Sequence, residues 1–218
     1  MKQHSSLKRP GPHIPEQDTS ALSIQTFDEA LIESLQPNEI YDVNRWLYVP
    51  AEYTEYRYVL GTRGKRPLIV VGINPSTAAP DALDPTVASA ERIALYNGFD
   101  SFMMFNVYAQ RATRPNDMEG RYNQMLHQEN MAAFRYLLTL NDTAPPAVWA
   151  AWGTVIEKRP YLKDCLIDML TWGEAAEAHW LKAGKLTKAG HPRHPLYMRK
   201  DTVLEPFDIQ TYLSKTLS

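Results

Sequence analysis

Leu68-Ile69-Val70-Val71-Gly72-Ile73, running straight into Asn74-Pro75-Ser76-Thr77, decides how this chain folds. An apolar, β-branched run without polar alternation suits a strand covered on both faces, as in the middle of a parallel sheet. Pro75 restricts Asn74 to an extended conformation, so the strand ends there with a polar side chain aimed outward. Ser76 and Thr77 can donate to or accept from a ligand, and their amides can form an anion-binding nest. The same four residues also suit an Asx- or ST-turn that simply ends the strand.

Downstream, the acidic loop Asp81 to Asp84 leads into Pro85–Asn97, which reads as a helix with Val87, Ala90, Ile93 and Ala94 on one face. Gly98 closes it as a C-cap. Asp84 suits the N-cap, with Pro85 in the favoured first position. Asp84 and Thr86 also stand where the rim of a strand-end pocket would be. A second strand, Ser101–Tyr108, carries Asn106 and runs into Arg111-Ala112-Thr113. Arg111 there either clamps a phosphate or carboxylate through its planar fork or makes a surface salt bridge.

Asn123–Leu140 reads as a long helix and Ala147–Ala151 as a third strand, ending at Trp152-Gly153. Glycine there lets a ligand approach the backbone, while the tryptophan suits a ligand wall or the core equally. Tyr161–Gly184 reads as helical with two interruptions, and Val203–Leu217 as a short terminal helix. Upstream, Ser23–Leu35 has a helical apolar rhythm stopped by Pro37, and Tyr53–Leu60 alternates like a half-exposed strand or hairpin. Residues 1–20, polar and proline-rich, read as a flexible leader dispensable for folding, and 21–218 as a single domain.

The alternation β-α-β-α-β-α-β predicts an α/β fold: a three-layer αβα sandwich around a central, mainly parallel, four-stranded sheet. In such sheets ligands bind outside the carboxyl ends of the strands, where the polar motifs of this chain fall.

The bulk properties bound the function. With 218 residues, 44% apolar and 22% charged, the chain suits one core of ordinary size. No apolar run approaches a membrane span, and no apolar h-region follows Met1, so a cytoplasmic protein with no membrane partner is expected. Cys165 is the single cysteine, which excludes a disulfide framework or a cysteine zinc site. The net charge of −2 argues against an extensive duplex footprint, which is usually basic.

The densest stretch is Thr187-Lys188-Ala189-Gly190-His191-Pro192-Arg193-His194-Pro195-Leu196-Tyr197. Lys188, Arg193, His194 and Tyr197 supply binding groups, and two prolines restrict the loop, which suits His194 donating one hydrogen bond from a fixed place. His191 and His194 are the only close histidine pair, and no third histidine, cysteine or HExxH completes a zinc site, so no metal is expected. Walker A, GxGxxG and GxSxG patterns are absent, and no cofactor is expected.

In order and spacing, Arg57-Tyr58-Val59-Leu60, Asn74 to Ala78, Asp81 to Thr86, Asn106 to Pro115, Ala151 to Gly153 and Thr187 to Tyr197 resemble the bacterial domain of unknown function numbered 1643, over roughly residues 56–200. A more distant resemblance bears on chemistry. Val71-Gly72-Ile73-Asn74-Pro75 is similar to the G-I-N-P motif of the mismatch-specific branch of the uracil-DNA glycosylase superfamily. Val148 to Gly153 is similar to that fold's strand ending in W-G, and His194-Pro195-Leu196 to the start of its H-P-S-P loop. The resemblance implies a uracil-DNA glycosylase-like fold, with Asn74 positioning water and His194 stabilising the leaving base. The strand-end motifs supply the candidate substrate-binding residues around them: Ser76, Thr77, Asp84, Thr86, Asn106, Arg111, Thr113, Trp152, Gly153, Lys188, Arg193 and Tyr197. Leu196-Tyr197 replace the small pair that pinches a DNA backbone, and Ser76 stands where that pattern has glycine, which leaves room for a smaller nucleotide.

The expected function is therefore chemistry at a nucleobase N-glycosidic bond, in nucleic acid or a nucleotide. The alternative is a non-catalytic nucleotide- or nucleic-acid-binding module. A basic face around Lys188, Arg193, Arg199 and Lys200 favours nucleic acid. A closed pocket lined by Asn74, Asn106 and His194 favours a small substrate.

Overall fold

The computed structural model describes residues 11–141, 143–196 and 198–217. Seven strands, β1 (Trp46–Val49), β2 (Val59–Thr62), β3 (Pro67–Gly72), β4 (Ser101–Asn106), β5 (Ala147–Ala150), β6 (His179–Ala183) and β7 (Leu204–Pro206), join one sheet in the order β1-β2-β4-β3-β5-β6-β7. The decisive apolar run is β3, buried along its whole length. It lies between β4 and β5 and is parallel to both, and β6 is parallel to β5.

The side chains of β3 alternate between two cores. Leu68 and Val70 pack with Val87, Ala90, Ile93 and Ala94 of helix α2 (Pro85–Tyr96). Ile69 and Val71 pack on the other face with residues of α1 (Phe27–Ser34), α3 (Gln124–Leu138) and α4 (Tyr161–Ala175). A continuous apolar strand is thus buried by helices on both sides. The crossover through α2 carries the chain from β3 to β4 on one side, and the crossover through α3 returns it past β3 to β5. The strand order therefore reverses at β3, which opens a crevice at its carboxyl end.

The expected sheet of four strands is corrected to seven. The inner strands β4, β3, β5 and β6 are mutually parallel, and antiparallel β1 and β2 extend one edge and β7 the other. The edge strands are only three or four residues long and escape a pattern search. The helical reading of 161–184 also fails at its end. Helix α4 stops at Ala175, Glu177 takes φ of 52°, and His179–Ala183 forms β6. The terminal helical reading shrinks to β7 and the four-residue α5 (Ile209–Tyr212), continued by a π turn. The stretch 53–60 is less exposed than expected, because Tyr56, Arg57, Tyr58, Val59 and Leu60 are all buried.

Part of the N-terminal stretch read as a leader makes contacts with the domain. Residues 1–10 lie outside the described residues, but 11–20 are docked. Thr113 donates its amide to the His13 carbonyl, and the His13 ring lies 3.2 Å from the Glu55 carboxylate. Thr19 is buried and donates both its amide and its hydroxyl to the Glu119 carboxylate at 2.8 Å.

Candidate binding site at the strand ends

A cavity of about 600 Å³ opens at the carboxyl ends of β3, β4 and β5. Its wall includes Asn74, Asn106, Trp152 and His194, so groups that follow three successive strands and the last loop do meet there. Ser76, Thr77, Asp84, Thr86 and Thr113 line it too.

Asn106 ends β4 and is 1% exposed, yet neither atom of its side-chain amide has a hydrogen-bond partner among the described residues. A buried amide with an unused donor and an unused acceptor is costly and rare in a core. Its neighbour Gly72 leaves the space for it. A Cβ at position 72 would sit 2.9 Å from Asn106 Oδ1 and 2.7 Å from Met104 Cε.

Asn74 is tied down on one side. Its Nδ2 donates to the carbonyls of Ala112 at 2.8 Å and Pro75 at 3.0 Å. Both partners are acceptors, which sets the amide orientation and leaves Oδ1 as the free atom. The loops after β3 and β4 are joined by the same contact, reinforced by Ala112 N–H donating to Pro75 O at 2.9 Å.

His194 is oriented by its own loop. The Leu196 amide donates to His194 Nδ1 at 3.3 Å, so the neutral ring carries its proton on Nε2. Burial holds the imidazole below its ordinary pKa, against the opposing pull of the Asp84 carboxylate. The ring is therefore a neutral N–H donor around pH 7. Gly153, at φ of 64°, begins the 3₁₀ turn after β5, and a Cβ there would meet His194 Cβ at 3.4 Å. The Trp-Gly pair thus seats the histidine loop.

Asp84 does act as the N-cap of α2, with Oδ1 accepting from Val87 N–H at 2.9 Å. Capping and a place on the cavity wall coexist, because the cap uses only one carboxylate oxygen.

Three expected binding residues sit elsewhere. Arg111 is fully buried and braces the loop after β3: it donates to the carbonyls of Ser76 and Ala78 and to the Tyr48 hydroxyl, and stacks on Tyr53 at 4.1 Å. Neither a ligand clamp nor a surface salt bridge describes it. Lys188 and Arg193 are exposed and off the cavity wall, and Arg193 Nε donates to the Lys185 carbonyl. Tyr197 lies outside the described residues. Trp152 reaches the cavity but is a core residue, its indole N–H donated to the Tyr212 hydroxyl at 3.0 Å. That hydroxyl lies 2.9 Å from His191 Nδ1, and His191 Nε2 lies 3.0 Å from Glu157. His191 therefore belongs to a buried structural chain behind the site, and its pairing holds the Glu157 carboxyl below its usual range.

Sequence reading missed Arg57. Its side chain is 1% exposed, lines the cavity, and donates from Nη1 to the Ala78 carbonyl at 3.0 Å. The available signal was its alternation with Tyr56 and Tyr58, which puts Arg57 on the face opposite two aromatics. Among the described residues, no cluster of three or more histidine, cysteine, aspartate or glutamate side chains could hold a metal.

The fold and the cavity define the class: an α/β protein with a strand-end cavity whose wall carries a buried amide, a buried guanidinium and a half-buried imidazole. The chain belongs to the family described as protein of unknown function (DUF1643), whose model matches residues 57–196. That span runs from Arg57 to the loop that carries His194. Neither a curated protein nor a solved structure matches the chain.

Proposed function

We propose that the cavity binds a nucleobase and acts at its N-glycosidic bond, in the manner of the uracil-DNA glycosylase-like proteins that its motifs resemble. The observation that carries this reading is the unpartnered Asn106 amide at the cavity wall. A side-chain amide offers a donor beside an acceptor, the complement of a base edge.

The chemistry follows from the neighbouring groups. As the glycosidic bond breaks, its electron pair leaves with the base and positive charge grows on the sugar carbon. His194 Nε2–H donates to a carbonyl oxygen of the departing base, where negative charge accumulates, and one such preorganised donor is worth about 3–4 kcal/mol. Asn74 Oδ1 accepts from a water and aims its oxygen at the sugar carbon. The water oxygen bonds to that carbon, and its proton passes to Asp84, whose second carboxylate oxygen is left over from the helix cap.

The shared wall of Asn74, Asn106 and His194, with Lys188 and Arg193 off it, favours a nucleotide-sized substrate over a duplex. The test is thermal shift and base release across bases, nucleosides, nucleotides and oligonucleotides, with wild type beside His194→Ala. Base release that depends on His194 supports the proposal. Ligand binding without release in any of them leaves a nucleotide-binding module.

A further inference from the structure

Arg57 is a buried cation that no carboxylate contacts directly among the described residues. None of the ion pairs among the described residues includes Arg57, and its Nε has no hydrogen-bond partner. A second buried guanidinium, Arg111, donates to the same Ala78 carbonyl from the other loop, at 3.3 Å. Neutral acceptors alone hold Arg111, so it supplies no negative charge to its neighbour. Burial first and the Arg111 charge second push the Arg57 pKa down to about 9, and the Asp84 carboxylate opposes them only in part.

Only one carboxylate, Asp84, lines the cavity among the described residues. Glu55, which acts on the nearby Tyr53, is already paired with His13. Arg57 thus shares the cavity with one carboxylate that makes no ion pair with it, Arg111 behind it adds positive charge, and His194 is neutral. A buried charge in this state is costly unless something supplies the missing partner, and here the partner has a cavity to arrive through.

We propose that Arg57 anchors the phosphate of a nucleoside monophosphate, so that the cavity takes free mononucleotides; the inference rests on the nucleobase reading above. A guanidinium fork matches a phosphate in two parallel hydrogen bonds, and its charge offsets the dianion. Ser76, Thr77, Thr86 and Thr113 line the same cavity, and the Ser76–Thr113 hydroxyl pair, 3.0 Å apart, keeps one proton to donate to a phosphate oxygen. The cavity of about 600 Å³ lies within the range of small-molecule sites. Asn106 and His194 then hold the base while Arg57 holds the other end of the same ligand. A terminal phosphate on a polynucleotide offers the same chemistry, and the experiment separates the two sources.

The experiment is calorimetric titration of the full chain with the ribo- and deoxyribonucleoside 5′-monophosphates, their parent nucleosides, inorganic phosphate, and short oligonucleotides with and without a 5′-phosphate. At least one monophosphate is expected to bind at least tenfold more tightly than its nucleoside, with inorganic phosphate competing. That advantage is expected to vanish in Arg57→Gln, whose amide can still donate to Ala78. Equal affinity of wild type for nucleoside and monophosphate overturns the phosphate anchor while the nucleobase reading stands. No binding of any nucleoside, nucleotide or oligonucleotide overturns both. Phosphorylated oligonucleotides binding more tightly than every mononucleotide overturns the free-nucleotide assignment. Should Arg57→Gln not fold, the wild-type ligand comparison alone decides.

Discussion

The Leu196 backbone amide donates to Nδ1 of His194, and this one contact sets which nitrogen of the ring is free to donate into the cavity. A histidine held this way acts as a neutral donor, and burial keeps it neutral to lower pH than a solvated one. Its lowered pKa therefore bears on how the cavity behaves as pH falls.

Binding and any base release should persist below pH 6.5, the ordinary histidine value, and fail only as pH falls through the lower folded pKa of His194. The sign for stability follows from the same depression. In the unfolded chain the ring takes up a proton near 6.5 while the folded ring does not, so stability falls as pH drops from 6.5 toward the folded value. A ring-proton NMR titration of wild type against His194→Gln checks both. A folded pKa at or above 6.5 contradicts the donor assignment.

Asn106→Leu should separate stability from function. Replacing an unpartnered buried amide by an apolar side chain of similar size should leave stability unchanged or raise it by about 1 kcal/mol. Binding should fall by tenfold or more. Urea unfolding beside ligand titration checks this, and a loss of stability above about 1 kcal/mol would show that the amide has an internal role.

Gly72→Ala tests the same amide from its neighbour. The new Cβ, 2.9 Å from Asn106 Oδ1 and 2.7 Å from Met104 Cε, forces both side chains to shift. A stability cost of about 1–3 kcal/mol is expected for such overpacking, with ligand affinity reduced alongside. Affinity equal to wild type would place the ligand away from Asn106.

His191→Ala and His194→Ala should affect different properties, the first stability and the second function. His191 is fully buried between Tyr212 and Glu157, so its truncation should cost about 2–4 kcal/mol through a cavity and two lost hydrogen bonds. His194→Ala should cost less stability and more function. Unfolding midpoints of the two variants beside their ligand affinities decide it.

Deleting residues 1–20 should lower the melting temperature. Thr19 fills two acceptor positions on the buried Glu119 carboxylate, to which the Tyr108 hydroxyl also donates. Losing the threonine leaves that carboxylate short of donors, at about 2 kcal/mol or about 4–8 °C for a chain of this size. A melting temperature unchanged by the deletion would show that the docked segment adds nothing.

Several elements were legible because local chemistry and tertiary environment agree. The run at 68–73 is apolar on both faces, and β3 is covered on both faces. Asp84-Pro85 reads as a helix start and is one, capped at Val87. Edge strands were not legible, since three or four residues such as Leu204–Pro206 have no pattern of their own and form only where a neighbour offers a ladder. The stretch 179–183 was hidden behind a helical composition, and pairing with β5 makes it a strand.

The sequence by itself determined the central apolar strand, its polar ending at Asn74, and the order in which Asn106, Trp152 and His194 follow their elements. Those features depend on neighbouring residues along the chain, where periodicity, proline and capping act. Only the tertiary structure decided that Arg57 faces the cavity while Arg111 braces a loop, and that His191 is structural while His194 faces the cavity. Each pair is chemically identical, and hydrogen-bond partners separate its members: Ser76 and Tyr48 hold Arg111 but not Arg57, and Tyr212 and Glu157 hold His191 but not His194. Sequence patterns report which groups are present, whereas the solvent and the partners of each group come from contacts across the fold.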